Sequence, residues 1–469
     1  MDSLTFPGSV FKSLRYRVFL PAWATAFSCL AIPLLALASP APNSTFWEEA
    51  ELRIEKHRKN DLIITVVDPH GRPVEGIPVS VRMLRHGFRF GTAVNERRFW
   101  DLDPDSPFHS EGGTPSPEEN DFYRDRIETL FNQITLENGL KWHKWEDPIR
   151  QPKSLGLLEW AAERQIEARG HAMVWGRKGW DTVPPDVAGN RTDPDYVANR
   201  IFEHIKTIGQ HPLTKGILID WDVLNEPLNE RALTDLFSPG LAPQDSPVLK
   251  PWFEHARSAD PNAKLYINEF EILMGHNAKL RDAYFKMIQN LIDQGASIDG
   301  IGMQSHFWRK PPPITEIKER LDRFAQLGLP IQITEFDMYE WGDEVEKAAF
   351  MHDFLKLVFS VPEVEAFTMW GFWDASHWKK SAPLYFSDQS LKPSGQVYLD
   401  LVFDQWWTNA QGHTQADGTF TTRAFHGQYE IKIVVNGREF EKRVKLLDDP
   451  EPGRFHFVAD SEFLATVEN

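Results

Sequence analysis

The sequence predicts an α/β fold: a (β/α)8 barrel with a small accessory β domain built from the segments that flank it. The first observation is a set of eight short apolar, β-prone runs: FRFGTAV, FNQITLE, RGHAMVW, GILIDWDVLN, KLYINEFE, IDGIGMQSH, PIQITEFD and EAFTMWGFW. The second is what separates them. Amphipathic stretches such as LLEWAAERQIEAR and AYFKMIQNLIDQG have helical periodicity, and strands alternating with helices imply βαβ units and a parallel sheet. Eight such units fill a closed barrel. A doubly wound open sheet is the alternative, but no G-x-G-x-x-G or Walker pattern follows the first run.

Taken in order, residues 1–38 read as a signal peptide. Lys12, Arg15 and Arg17 form a basic start, Val18 to Ala38 is largely apolar, and Ala36-Leu37-Ala38 is an A-x-A cleavage pattern. An uncleaved anchor is the competing reading, disfavoured by Pro21 and Pro33 within the run. The expected destination is secreted or periplasmic. Cys29, the only cysteine, lies in this segment, so the mature chain is expected to carry no disulfide and no thiol nucleophile. Cleavage removes three basic residues and one acid, taking the net charge from −17 to −19. That surface argues against nucleic acid and anionic membranes as partners and tolerates neutral polysaccharides. A monomer is expected.

Residues 39–86 read as a linker, a short helix (FWEEAELRIEKHR) and a β pair. DLIITVVD and IPVSVRML bracket Gly71, Pro73 and Gly76 and resemble a hairpin. Residues 87–405 hold the barrel. Within them, 101–120 (DLDPDSPFHSEGGTPSPEEN) reads as a loop after the first run, either flanking the site or inserted. Residues 406–469 read as a β appendage: GTFTTRAFHG, QYEIKIVV and REFEKRVKLL are strand-like. Asn436-Gly437 is a two-residue hairpin turn and Asp417-Gly418 a second. The appendage is expected to pack with the 61–86 pair, because the two ends of a barrel lie close together.

Barrel enzymes place reacting groups at the C-terminal ends of strands, so the last residues of each run carry the chemistry. The second run ends in Glu137, Asn138, Lys141 and Trp142; the third in His171 and Trp175; the fourth in Asn225, Glu226 and Pro227. The fifth carries Asn268 and Glu269, the sixth Gln304 and His306, the seventh Glu335 and Asp337, and the eighth Trp370, with Trp378 beyond. A carboxylate ending a buried strand costs desolvation unless something uses it. There is no serine elbow, phosphate cradle or H-E-x-x-H pair. Carboxylates, amides, imidazoles and indoles suit polyols: hydrogen bonds for hydroxyls, flat rings for the apolar faces of sugars. Glu226 and Glu335 lie on runs nearly opposite in the ring, the arrangement glycoside hydrolysis needs. Singly, each residue is also compatible with a core or turn role; suitable groups at consecutive strand ends are not required by packing.

In order, GHAMVW, DWDVLNEP, KLYINEFE, IDGIGMQSHF, ITEFDM and MWGFWDASHW resemble the motifs of glycoside hydrolase family 10, the retaining endo-β-1,4-xylanases. The resemblance covers roughly residues 85–405, and the flanking β segments are similar to the plant-type subgroup. It implies Glu226 as acid/base, Glu335 as nucleophile, and His306 and Asp337 as the pair around the nucleophile. It implies sugar contacts at Glu137, Asn138, Lys141 and His171, and walls of the cleavage site at Asn225, Gln304, Trp175, Trp370 and Trp378. No metal or organic cofactor is implied. Two positions depart: Trp175 is followed by Gly176 where the pattern has histidine, and Asn268 by Glu269 where it has aspartate. Another β-glycan, β-glucan or mannan, is the alternative substrate. A non-catalytic glycan-binding protein is the alternative class.

Overall fold

The computed structural model describes residues 44–102, 116–449 and 451–459. Eight parallel strands close on themselves: β3 (Arg89–Val94), β4 (Gln133–Leu136), β5 (Glu167–Trp175), β6 (Leu218–Asn225), β7 (Lys264–Glu269), β8 (Gly300–Met303), β10 (Ile331–Met338) and β11 (Val364–Met369). Ladders run between neighbours in this order, and β11 pairs with both β10 and β3. β9 (His306–Phe307) continues the β8 run and pairs with β10 at Asp337↔His306. All eight expected runs are therefore barrel strands.

Helices follow the strands around the outside. The helix Pro194–Gln210 shows why they form: Asp193 caps it by accepting from Tyr196 N, Pro194 opens it, and Val197, Ile201, Ile205 and Ile208 are buried at helical spacing. The barrel axis is polar. Arg169 is fully buried between Asp220 at 2.8 Å and Asp222 at 2.7 Å, and Gln332 Nε2 donates to Asp220 at 2.9 Å. Trp221, between those two aspartates, faces the helix layer and donates to Asp260 at 3.4 Å. No helix among the described residues is long and apolar enough to cross a membrane.

The flanking segments build two further sheets. β1 (Lys59–Val67) lies between β13 (Thr419–Phe425) and β16 (Gly453–Val458). β2 (Pro78–His86) lies between β12 (Asn409–His413) and β14 (Gly427–Val435), with β15 (Arg438–Leu446) beyond. Both bury alternate residues, Leu62, Ile64 and Val66 from one and Val79, Val81 and Met83 from the other. The accessory β domain is thus shared between the two chain ends, as expected. The hairpin expected from 61–86 does not form: β1 and β2 sit in different sheets, joined near the loop only by a Val67↔Pro73 bridge. Each finds two partners in the C-terminal segment, one on either side, which satisfies more backbone than a mutual pair would.

Asn436 (φ 50°) and Gly437 (φ 75°) make the expected β14–β15 turn. Asp417-Gly418 also forms a tight turn, Gly418 N donating to Gln415 O at 2.8 Å, but it links β12 to β13 across the two sheets instead of closing a hairpin. The end of the 101–120 stretch is helical: Ser116 caps a helix Pro117–Leu130 by accepting from Glu119 N at 3.2 Å. The first two residues of that stretch end a 3-10 helix Glu96–Leu102, while residues 103–115, residues 1–43 with the expected signal peptide and Cys29, residue 450 and residues 460–469 lie outside the described residues.

Candidate active site

The C-terminal strand ends open into one cleft. Glu137, Asn138, Lys141, His171, Trp175, Glu226, Gln304, His306, Glu335, Trp370 and Trp378 all line it. Asn225 and Asp337 do not line it: they stand behind its wall, 1% and 0% exposed.

Glu226 directly follows β6, at φ 55°. A non-glycine residue there costs roughly 1–2 kcal/mol, and the surroundings hold it in place. Its N–H donates to Asn268 O at 2.8 Å, its carbonyl accepts from Glu230 N at 2.8 Å, and Pro227 ends the ladder. The turn points the carboxyl into the cleft, where Oε1 accepts from Gln304 Nε2 at 2.8 Å and Oε2 from Trp175 Nε1 at 3.0 Å. Burial raises its pKa above the ordinary carboxylate value, the two donors work against that, and the charge of Glu335 adds to the rise.

Glu335, within β10, has different neighbours. Oε1 accepts from Asn268 Nδ2 at 2.7 Å, and Oε2 lies 3.2 Å from His306 Nε2. His306 Nδ1 donates to Asp337 Oδ1 at 2.8 Å, and Trp378 Nε1 donates to Asp337 Oδ2 at 2.8 Å. Burial opposes a charged imidazole at His306, but the carboxylates of Asp337 and Glu335 outweigh it and push its pKa up to about 10. Burial likewise opposes ionisation of Asp337, yet His306 holds it down at about 2. Glu335 therefore faces a group that is cationic through neutral pH, and Glu226 faces an amide and an indole.

The two carboxyls are joined through the strands between them. Gln304 Nε2 also lies 3.4 Å from Asn225 Oδ1, which accepts from Asn268 Nδ2 at 3.0 Å. Thr334 Oγ1 fixes the Asn268 amide by donating to its Oδ1 at 2.7 Å. Beneath the cleft, His171 Nδ1 donates to Asp222 at 2.9 Å, and the His171 ring meets Trp370 edge-on at 5.1 Å. Asp222 stays ionised because Arg169 outweighs the effect of burial.

One wall is a charged patch. Lys141 Nζ donates to Asn138 Oδ1 at 3.0 Å and lies 4.8 Å from the Trp175 ring. Burial, and then the charge of Glu96, push Glu137 up to about 7. Glu96 is a residue the sequence reading missed. It follows β3, is buried, and accepts from Asn138 N at 3.2 Å and from Gly139 N. The first run was read only to Val94, two residues short of it.

Also missed were Arg177, Phe270, Trp308, Tyr339 and Lys379, which line the cleft. Arg177, Phe270, Trp308 and Tyr339 lie one or two residues past a strand end, so reading further past each run would have found them; Lys379 lies well beyond β11, next to Trp378. At Gly176 a side chain would crowd Leu233: a Cβ there would stand 3.0 Å from both Leu233 N and Leu233 Cγ, so Leu233 would have to shift. Arg177 reaches toward the cleft instead, its guanidinium 5.5 Å from the Trp175 ring and 2.8 Å from Asp181.

A model of glycosyl hydrolase family 10 matches residues 86–398. The chain is 29% identical over 403 residues to an anti-sigma-I factor (RsgI6) of Acetivibrio thermocellus, covering 85% of this chain and 48% of that protein. It is 26% identical over 387 residues to endo-1,4-beta-xylanase 1 of Arabidopsis thaliana, covering 81% of this chain and 37% of that protein. The chain thus spans less than half the length of these relatives. Among solved structures, native xylanase 10B from Thermotoga maritima superposes with a TM-score of 0.56 at 25% identity, covering 68% of this chain and 96% of that one.

Proposed function

The chain belongs to glycosyl hydrolase family 10, and we propose that it is a retaining endo-β-1,4-xylanase that cleaves internal bonds of xylan. One observation carries the reading: the two glutamates at the ends of β6 and β10 sit in unlike environments. Glu226, its pKa raised by burial, is kept able to hold a proton. Glu335 lies against the charged His306 and accepts from the Asn268 amide, a setting unlike that of Glu226.

In the first step a Glu335 oxygen attacks the anomeric carbon and the glycosidic C–O bond breaks. Glu226 gives its proton to the departing oxygen. In the second step Glu226, now a carboxylate, takes a proton from water, and the water oxygen attacks the anomeric carbon. The bond to Glu335 breaks and Glu226 is protonated again, ready for another turn. The Nδ2 of Asn225, buried behind the cleft wall beside Glu226, has no partner among the described residues. Trp175, Trp370 and Trp378 supply flat walls for xylose rings, and Glu137, Asn138 and Lys141 supply hydroxyl contacts. The basic and apolar N-terminal segment supports export with cleavage after Ala38, and the protein is read as a monomer.

The test is proton NMR of xylo-oligosaccharide cleavage, with wild type beside Glu335→Ala. Early β-anomer from wild type and no product from the variant is the expected result; early α-anomer overturns retention. Cleavage of β-glucan or mannan but not xylan moves the substrate and keeps the chemistry. A second reading is glycan binding without turnover; one relative is named as an anti-sigma-I factor and not as a xylanase. Turnover lost with Glu335 excludes it.

A further inference from the structure

Glu269 is a fully buried carboxyl that the proposed reaction does not use. It ends β7, the strand next to the one that carries Glu226. Instead of facing the cleft, it turns toward the loop that leaves Glu226. Oε2 accepts from Leu228 N at 2.9 Å, and Oε1 from Asn229 Nδ2 at 2.9 Å and from its neighbour Phe270 N at 2.9 Å. All three partners are donors, so both oxygens are needed as acceptors. The far end of the same loop is fixed as well. Glu230 Oε2 accepts from Lys178 N at 2.8 Å, Ala232 N donates to Gly176 O at 3.0 Å, and Leu233 packs where a side chain at 176 would stand. The two positions at which this chain departs from the xylanase pattern therefore grip one segment, and Glu226 is its first residue.

We infer that Glu269 is a positioning residue for acid/base catalysis: by clamping Leu228 and Asn229 it fixes the strained turn at Glu226 and so aims the Glu226 carboxyl at the glycosidic oxygen. This rests on the proposed function. Without the clamp, the loop loses its fixed points at Leu228 and Asn229, just after the strained turn at Glu226 (φ 55°), and the turn is freer to relax. The Glu335 side of the cleft takes no support from Glu269, so loss of the clamp impairs proton donation and spares nucleophilic attack.

Leaving-group dependence separates these effects. A xylose leaving group needs a proton from Glu226; a 2,4-dinitrophenolate does not. The experiment compares kcat/KM of wild type, Glu269→Gln and Asn229→Ala on xylotetraose and on 2,4-dinitrophenyl β-xylobioside. In Glu269→Gln the amide nitrogen cannot accept, so one of the two grips is lost. The expected loss on xylotetraose is about 10- to 100-fold, the scale of a small misplacement, with less than about threefold on the aryl substrate, which bypasses the acid. Asn229→Ala removes the side-chain half of the clamp from the loop side and leaves the buried carboxyl in place; it is expected to show the same split, smaller. It decides the matter if Glu269→Gln fails to fold. Equal losses on both substrates, or no loss on either, overturn the inference while the proposed function stands. A wild type that cleaves neither substrate overturns the proposed function, and the inference with it.

Discussion

Replacing His306 by Gln tests what the imidazolium contributes beside Glu335. The imidazole stands 3.2 Å from Glu335 Oε2 and 2.8 Å from Asp337 Oδ1, with both carboxylates nearly inaccessible. At an effective dielectric of about 20, a unit pair at 3.2 Å is worth about 5 kcal/mol. Glutamine keeps an N–H donor, which returns roughly 1–2 kcal/mol of that, leaving a net loss of about 3–4 kcal/mol of attraction across the contact. The assay is urea unfolding of the two proteins at pH 6. A stability loss below about 1 kcal/mol would refute the claim that the charge of His306, and not its shape, holds this cluster together. The pH dependence of that loss has a defined sign. The folded-state pKa of His306, about 10, lies above its ordinary 6.5, so its contribution is complete below pH 6.5 and fades as pH rises toward 10. Asp337, at about 2 against an ordinary 3.8, contributes above pH 3.8 and loses that as pH falls through 2. The thermal-unfolding deficit of His306→Gln is therefore largest between pH 4 and 6.5 and narrows toward pH 10.

Three further outcomes are expected. Trp175→Phe removes the indole donor to Glu226 Oε2, so the proton is held more tightly and the alkaline limb of kcat/KM rises by about one pH unit; a downward move would refute the hydrogen bond. Arg169→Met strips the cation from between Asp220 and Asp222 inside the barrel and is expected to cost about 3–5 kcal/mol in urea unfolding; less than 1 kcal/mol would mean that the aspartates find other partners. Gly437→Ala puts a Cβ at φ 75° in the β14–β15 turn. It should cost about 1–2 kcal/mol, seen as faster amide exchange in those two strands while barrel amides are unchanged.

The barrel was legible because each of its strands is buried on both faces and reads as an apolar run, and because the runs recur with helical stretches between them. The site followed from the same reading, since each run stops where its last side chains turn into the cleft. What stayed hidden has specific causes. The strand β12 reads Asn-Ala-Gln-Gly-His and holds no β-branched residue, so propensity gives no sign of it; the sheet edge offered by β2 makes it a strand. The sequences of β1 and β2 fit a hairpin as well as two separate sheets. Which partner each takes is decided by Arg423, Ile431 and their neighbours some 350 residues away. The carboxylates Glu96 and Glu269 looked no different from Glu226: all three end or follow a strand, and only their partners, backbone N–H groups in place of open cleft, set them apart.

Position around the ring explains why two like residues take unlike roles. The links between Glu226 and Glu335 step across the ring: Gln304 from beyond β8 reaches over β7 to Glu226 and Asn225, Asn225 on β6 meets Asn268 on the adjacent β7, and Asn268 reaches over β8 to Glu335 on β10. Amides make up this whole chain, and an amide offers either end without carrying charge. It therefore ties the positions of the two carboxyls together without fixing the charge of either. Charge is set only at the ends, by the His306 imidazolium on one side and by burial against an indole on the other. Moving the proton between solvent, sugar and Glu226 then leaves the chain's geometry intact, which is what a residue that must act first as acid and then as base requires. A charged link in the chain, Gln304→Glu for instance, would couple the two ends. It would add a third titrating carboxyl beside Glu226, and the pH profile would narrow even if the fold were unchanged.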